Sequence, residues 1–225
     1  MNTAAEHADF FRTLSERSAH GTLRGDYSQC DEHYVVRQDW QAYTSAQHAL
    51  WRRLYRRQAA LLPGRACEVF IASLDRMDAA QEIPLLARTS EALYRATRWQ
   101  LVPVPGLVPD RVFFEHLAQR RFPVTVWLRE PEEFDYIVEP DLFHDFFGHV
   151  PLLFDPVFAD YMQQYGQGGL RALELGGLEY LARLYWYTVE FGLIRSPAGL
   201  RVYGAGILSS GGEIVHCLSS PGPHR

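Results

Sequence analysis

The chain has 225 residues, 47% hydrophobic content and a formal net charge of −5, which allows one sizeable core and gives no basic field for binding nucleic acid. All 22 basic residues are arginine. Because there is no lysine, a Schiff base to pyridoxal phosphate and a phosphate-loop lysine are both excluded.

The cysteines and the N-terminus indicate the compartment. Cys30, Cys67 and Cys217 lie far apart and form no C-x-x-C pair, which favours a reducing environment. Residues 1–10 lack the charged-then-apolar pattern of a signal peptide, and no apolar run approaches the roughly 18 residues that a membrane span needs. We therefore expect a cytoplasmic protein that contacts neither membrane nor nucleic acid.

The N-terminal half predicts a lead-in followed by helices. Residues 1–38 are polar and contain glycines, so we expect a loosely ordered lead-in, with residues 39–225 forming one domain. Apolar residues at helical spacing predict helices over 44–62, 66–77 and 90–98. Residues 100–104 predict a strand, which Pro103 confines to an edge or loop.

The C-terminal half continues the mainly helical pattern. A helix is predicted from Pro109 to about residue 120, a strand at 122–128, a helix from Asp155-Pro156 to about residue 165, the longest helix at 173–194, and a strand at 200–208. The expected fold class is mainly α with a few short β-strands.

Two histidines, His144 and His149, are five residues apart. On an ideal α-helix this spacing places them roughly 140° apart, so they cannot share one helical face. Because the residue before Pro151 is pushed out of the helical region, we expect the helix to end there. His149 would then turn from a fraying end towards a metal that His144 also binds. The alternative is a solvated helix end that happens to carry two histidines.

Glu190 is the only charged residue between Leu184 and Ile194, in a segment that is otherwise mostly apolar. A buried carboxylate is normally paired with a cation or bound to a metal, because burying it unpaired is costly. The alternative partners, Arg183 and Arg195, are seven and five residues away and are not i, i+4 neighbours. Two imidazoles and one carboxylate are the ligand set of a non-haem Fe(II) site with open positions.

Two other types of site share some of these sequence features. A zinc hydrolase uses the same donors, but the chain has no H-E-x-x-H segment with its general-base glutamate. Residues 204–206, Gly-Ala-Gly, imitate the start of a dinucleotide fingerprint. The third glycine and the later acidic residue are missing, so we reject a dinucleotide site.

Five segments, in this order, resemble the pterin-dependent aromatic amino acid hydroxylases, most closely the short bacterial phenylalanine 4-hydroxylases. They are 103–108 (PVPGLV), 113–117 (FFEHL), 139–153, 184–192 and 203–210 (YGAGILSS). The resemblance implies the catalytic fold of that family. It also implies a monooxygenase that converts L-phenylalanine to L-tyrosine with dioxygen, Fe(II) and a tetrahydropterin, either tetrahydrobiopterin or a bacterial analogue.

The resemblance assigns roles to single residues. The implied iron ligands are His144, His149 and Glu190, with Tyr185 beside the iron. The substrate carboxylate is bound by Arg129, which Asp141 orients, and the aromatic substrate pocket is formed by Trp186, Phe191 and Pro140. A pair behind the ligands is matched by Ser209 and Glu213, with the serine bonded to His144. The alternative for Arg129 is an ordinary surface arginine, and for the aromatic residues it is ordinary core packing. For Ser209 it is a loop hydroxyl, and for Glu213 a solvated carboxylate. Tryptophan hydroxylases tend to carry phenylalanine at the position of Trp186, so phenylalanine is the expected substrate and tryptophan the alternative.

The same resemblance implies a pterin site. Phe113 matches the ring that stacks on the pterin, Gly106, Leu107 and Val108 match the backbone that hydrogen-bonds its edge, and Asp145 stands where the animal enzymes carry a pterin-side glutamate.

The family's catalytic domain continues for several dozen residues past the position of Arg225. We therefore expect a fragment or a naturally shortened member that lacks the C-terminal part of the domain. An inactive or uncoupled module that binds iron and pterin is the alternative to an active enzyme. The lack of a regulatory segment and of a tetramer-forming tail favours a monomer.

Overall fold

The computed structural model describes residues 24–222, a mainly helical protein with two small sheets. The α-helices are α1 (Ser45–Leu61), α2 (Glu68–Leu74), α3 (Leu86–Thr97), α4 (Asp110–Ala118), α5 (Pro156–Leu175), α6 (Leu178–Tyr185), α7 (Ala205–Leu208) and α8 (Glu213–Ser219). Two π-helices are π1 (His144–His149) and π2 (Trp186–Glu190), and the strands are β1 (Gln100–Val104), β2 (Arg121–Thr125), β3 (Leu193–Ser196) and β4 (Gly199–Val202). The predicted fold class is confirmed.

Helix α1 forms where the sequence predicts it. The Thr44 hydroxyl accepts from the Gln47 backbone N–H, and the Gln47 side chain accepts from the Thr44 N–H, so a capping box begins the helix. The buried face carries Leu50, Leu54 and Gln58 at intervals of four residues. This periodicity turns one face of α1 towards the core.

The two sheets have different topologies. Strands β1 and β2 pair in parallel, with Gln100 opposite Arg121 and Val104 opposite Thr125, and α4 supplies the connection between them. Since each sheet has two strands, every strand is an edge, which is where proline is tolerated. The Pro103 carbonyl accepts a hydrogen bond from the Val36 N–H.

Two predicted helix boundaries are wrong. Helix α5 does not end near residue 165 but runs to Leu175. The long helix predicted at 173–194 is divided, because Gly176 adopts φ +69° and ends α5 before α6 begins at Leu178. The second part then changes from α-helix to π2 at Trp186.

The strand predicted at 200–208 is also partly wrong. Strand β4 ends at Val202, and the chain turns into α7 at Ala205. A Cβ on Gly204 would lie 2.4 Å from the Glu190 carbonyl oxygen. Glycine at this position allows the chain after β4 to pass directly against the end of π2.

The core is most aromatic around π1. Phe143 stacks on Phe147 with ring centroids 4.9 Å apart, and Trp51 of α1 meets Phe143 edge to face at 5.3 Å. Phe146 and Phe147 are fully buried. Aromatic pairs of this kind add stability beyond their buried area, so π1 is fixed on a densely packed base.

Residues 24–38 make specific contacts with the rest of the fold. The Tyr27 hydroxyl donates to the Leu107 carbonyl at 2.9 Å, and the His33 carbonyl lies 2.9 Å from His116 Nε2. The division of the chain at residue 38 stays a prediction, and the first 23 residues of the predicted lead-in lie outside the described part.

Two further observations concern the cysteines and the possibility of a membrane-spanning helix. Cys30, Cys67 and Cys217 form no disulfide with one another. Within residues 24–222, no helix combines the length and the apolar character that crossing a bilayer requires.

Candidate active site

His144 and His149 stand at the two ends of π1. Backbone hydrogen bonds in a π-helix join residues five apart, so side chains at i and i+5 lie on nearly the same face. The predicted fraying end at His149 is wrong, because this residue is only 4% exposed and the chain continues into the 3₁₀-helix Val150–Phe154. Pro151 lies in the first turn of that helix, where a missing N–H is tolerated.

Glu190 ends π2 and faces both imidazoles. The Phe191 N–H donates to the Trp186 carbonyl at 2.9 Å, the i to i+5 bond that places Glu190 at this end. Glu190 Oε1 lies 3.1 Å from His149 Nε2, and Oε2 lies 3.6 Å from His144 Nε2. The alternative pairing with Arg183 is not adopted, since Arg183 binds Glu179 one turn away.

The three side chains fit a metal ion. One ligand atom from each of His144, His149 and Glu190 lies within 4.8 Å of the others. Burial opposes ionisation of Glu190. Attraction to His149 and His144, together with hydrogen bonds from His149 and the Gly206 backbone, outweighs burial and holds the pKa of this carboxyl below its ordinary value. An ionised carboxylate with two imidazoles suits Fe(II) and leaves coordination positions open.

Further contacts fix the orientation of His144. Ser209 Oγ lies 2.9 Å from His144 Nδ1, which leaves Nε2 directed towards Glu190. The His144 backbone N–H donates to Asp141 Oδ1 at 3.0 Å. Bonding of the second imidazole nitrogen fixes ring and tautomer in metal sites, so the predicted contact of Ser209 is present in suitable geometry.

Arg129 and Asp141 form a buried two-pronged ion pair. Arg129 Nε donates to Oδ2 and Nη2 donates to Oδ1, each at 2.9 Å, and the Arg129 backbone N–H also donates to Oδ2. The side chains are 3% and 0% exposed. Because His144 shares the Asp141 carboxylate, the arginine and the metal-facing histidine have one common anchor.

An aromatic path connects the predicted pterin side with the histidines. The Phe113 ring meets Tyr185 edge to face at 5.8 Å, and Tyr185 stacks on His149 at 6.2 Å. Burial raises the pKa of Tyr185 well above its ordinary value, so its hydroxyl stays protonated. Burial also raises the pKa of Asp145, whose Oδ2 accepts from the Thr125 N–H at 2.8 Å.

The segment Gly106 to Val108 follows β1 and is reached from the N-terminal side. Gly106 has φ +156°, and a Cβ there would lie 2.8 Å from the Tyr27 hydroxyl. The same hydroxyl binds the Leu107 carbonyl. This part of the predicted pterin segment is therefore held by Tyr27, which belongs to the predicted lead-in.

The remaining predicted site residues differ in their burial and in their contacts with the site. Trp186 and Phe191 lie together, with ring centroids 4.6 Å apart, and Pro140 is half-buried beside Asp141. Glu213 is exposed in the first turn of α8, where its backbone N–H donates to Ser210 Oγ at 3.3 Å. The structure thus does not join the Glu213 carboxylate to Ser209, and its part in the site stays a prediction.

Gly206 and Gln58 contact the site or the segment beside it, and neither contact was predicted from the sequence. A Cβ on Gly206 would lie 3.2 Å from Glu190 Oε2, so glycine lets α7 approach the carboxylate. Gln58 is fully buried and donates to the Leu208 carbonyl at 2.7 Å. Its signal was a polar residue in the apolar series of Leu50 and Leu54.

Known proteins share both sequence and fold with this chain. Residues 22–225 match the profile of the biopterin-dependent aromatic amino acid hydroxylases. The phenylalanine-4-hydroxylase of Ralstonia nicotianae is 59% identical over 217 residues, which cover 94% of this chain and 67% of that protein. The Chromobacterium violaceum phenylalanine-4-hydroxylase is 58% identical over 193 residues, covering 85% of this chain and 65% of the relative.

Solved structures agree with these matches. A crystal structure of the Chromobacterium violaceum phenylalanine hydroxylase with bound iron and phenylalanine superimposes with a TM-score of 0.83 at 56% identity, covering 87% of this chain and 71% of that one. The chain spans about two thirds of the length of the curated relatives it matches. By sequence, fold and the arrangement around His144, His149 and Glu190, the chain belongs to the biopterin-dependent aromatic amino acid hydroxylases.

Proposed function

We propose that this protein is a phenylalanine 4-monooxygenase, which hydroxylates L-phenylalanine to L-tyrosine with dioxygen, Fe(II) and a tetrahydropterin. The observation that carries the proposal is the convergence of the His144, His149 and Glu190 ligand atoms within 4.8 Å. Relatives named phenylalanine-4-hydroxylase at 58% and 59% identity support the choice of substrate. A zinc hydrolase finds no support in these relatives.

The protein's task is to hold the reactants in order and keep water away. We assign His144, His149 and Glu190 as iron ligands, with Ser209 holding the ring of His144. Bound iron and reduced pterin together supply the activation of dioxygen. The Tyr185 ring packs against His149 at one side of the site, where its buried hydroxyl stays protonated.

Arg129 is assigned to the substrate carboxylate. Asp141 engages Nε and one N–H of Nη2, so we assign Nη1 and the second N–H of Nη2 to the amino acid carboxylate. A rigid guanidinium anchored in this way loses little freedom on binding. Trp186, Phe191 and Pro140 would then contact the aromatic ring of the substrate.

For the pterin, we assign Phe113 as the stacking ring and the backbone of Gly106, Leu107 and Val108 as the hydrogen-bonding edge. Asp145 would face the pterin from the π1 side. We further propose a cytoplasmic monomer, with tetrahydrobiopterin or a bacterial analogue as the reductant.

The test is a coupled assay on the full chain. The protein is loaded anaerobically with Fe(II), a tetrahydropterin and L-phenylalanine are added, and oxygen then starts the reaction. Tyrosine formed in step with pterin oxidation supports the proposal, and L-tryptophan in a parallel reaction tests the alternative substrate. Pterin oxidation without tyrosine would identify an uncoupled module, and no pterin oxidation would refute the proposal.

A further inference from the structure

Two consecutive residues at the end of α1, Arg57 and Gln58, contact two different parts of the site. The Gln58 side-chain amide donates to the Leu208 carbonyl at 2.7 Å. Arg57 Nη2 donates to the Phe134 carbonyl at 3.0 Å, and Nη1 binds Asp135 Oδ1 at 2.7 Å. One helical turn therefore reaches both the segment before Ser209 and the segment after Arg129.

The Gln58 contact leads to His144. Leu208 is the last residue of α7, and the next residue, Ser209, bonds the His144 imidazole at 2.9 Å. Gln58 and Leu208 are both fully buried. Loss of the amide would leave the Leu208 carbonyl without this donor in a dry environment, so α7 and Ser209 would shift to recover a hydrogen bond.

The Arg57 contact leads to Arg129. The Arg57 guanidinium lies 4.1 Å from the centre of the Phe134 ring, and Arg53 lies 4.8 Å from the same ring. Phe134 and Asp135 lie midway along the residues that join Arg129 to Asp141. A cation–π contact and two hydrogen bonds fix this segment to α1 more firmly than a single charge pair would.

We propose that the last turn of α1 is a positioning element for the active site: Gln58 holds Ser209 against His144, and Arg57 holds the segment that carries Arg129 and Asp141. Neither side chain is assigned a contact with metal or substrate, so both are positioning residues. The proposal rests on the proposed function for what His144 and Arg129 bind. It requires that substitution of Gln58 weakens mainly metal binding and that substitution of Arg57 weakens mainly phenylalanine binding.

The experiment compares Gln58→Met, Arg57→Met and the control Arg56→Met, an exposed arginine of the same turn. Co(II) binding is measured by absorption titration, and L-phenylalanine binding to the metal-loaded protein by calorimetry. Gln58→Met should weaken Co(II) binding by up to about 10-fold, since outer contacts of metal ligands matter on this scale. Arg57→Met should weaken phenylalanine binding by about 10-fold, because it displaces the segment that carries Arg129. Co(II) binding should weaken by a smaller factor, because Arg57 Nε also donates to Gln58 Oε1 at 3.3 Å and Asp141 accepts from the His144 N–H. Arg56→Met should change neither.

Further variants and the unsubstituted protein separate the outcomes. If Gln58→Met does not fold, Gln58→Asn replaces it, since the shorter amide does not reach Leu208. Arg57→Lys should recover only part of the phenylalanine affinity, because lysine lacks the planar fork. Unchanged affinities, or equal losses of both ligands in both variants, would overturn the proposal. An unsubstituted protein that binds neither ligand would instead refute the proposed function.

Discussion

The Glu190 carboxylate is placed by its neighbours as much as by its own helix. Gly206 lies so close that an added Cβ would be 3.2 Å from Oε2, and the Gly206 backbone hydrogen-bonds the carboxylate. His149 faces the other oxygen at 3.1 Å. Both carboxylate oxygens are thus held by neighbouring groups, which is the kind of support that a precise site needs.

Glu190→Gln should nearly abolish metal binding. The amide has the same size but no charge, so Co(II) affinity should fall by more than about 100-fold, beyond the loss for an outer contact. The rise in unfolding temperature that Co(II) gives the unsubstituted protein should disappear with it. Glu179→Gln, an exposed glutamate on α6, is the matched control. Undiminished Co(II) binding by Glu190→Gln would remove Glu190 from the site.

The chemistry of a residue was predictable where its charge conflicts with the apolar residues around it in the sequence. Glu190 in an apolar segment indicated a buried carboxylate that needs a cation, and His144 and His149 supplied the other two ligands of the predicted site. The role of Gln58 was not predictable, because its partner carbonyl at Leu208 lies 150 residues along the chain.

At the scale of elements, the metal-facing residues sit on two π-helices rather than on α-helices. Helix α7 packs against π1 at Gly148, where an added Cβ would lie 2.9 Å from the Ala205 carbonyl oxygen and 3.0 Å from its Cβ. This contact brings Ser209 at the end of α7 to His144 in π1. A small residue at position 148 is therefore a requirement of the site's assembly.

Gly148→Ala should destabilise the fold and loosen this contact. Overpacking at a buried backbone contact costs about 1–3 kcal/mol, measurable as a lower urea midpoint. Gly168→Ala on α5 is the control, because nothing lies within 4 Å of the added Cβ and the helix should gain about 0.5–1 kcal/mol. Equal stability of the two variants would contradict the proposed packing requirement.

Element types were predicted better than their boundaries. The capping box at Thr44 and the apolar periodicity marked α1 because both signals are local. The division at Gly176 was hidden, since the apolar pattern continues on both sides of it. A π-helix has no local signal of this kind, because the extra residue is accommodated by tertiary packing against α7 and the aromatic base.

At the scale of the whole molecule, residues 24–38 connect the N-terminal side to the domain through a buried histidine. His116 on α4 is 1% exposed, and its Nε2 lies 2.9 Å from the His33 carbonyl. Burial lowers the pKa of His116 below its ordinary 6.5; the charges of Arg121 and His33 act in the same direction, while the His33 carbonyl and Asp31 oppose it. The fold therefore favours the neutral imidazole.

The pH dependence of stability follows with a definite sign. As pH falls below about 6.5, the unfolded chain takes up a proton at His116 before the folded protein does, so stability decreases until the lower folded pKa is passed. Urea midpoints compared between about pH 8 and pH 5 should show a smaller decrease for His116→Gln than for the unsubstituted protein. Identical slopes for the two proteins would show that His116 does not contribute.

The π-helical spacing of the two histidines has a genetic consequence. A π turn is an α turn with one residue inserted, so deleting one residue between His144 and His149 would bring the imidazoles to the i, i+4 spacing. That is the histidine spacing of the H-E-x-x-H zinc proteases. A single codon thus separates the spacing of this histidine pair from the spacing that the zinc proteases use.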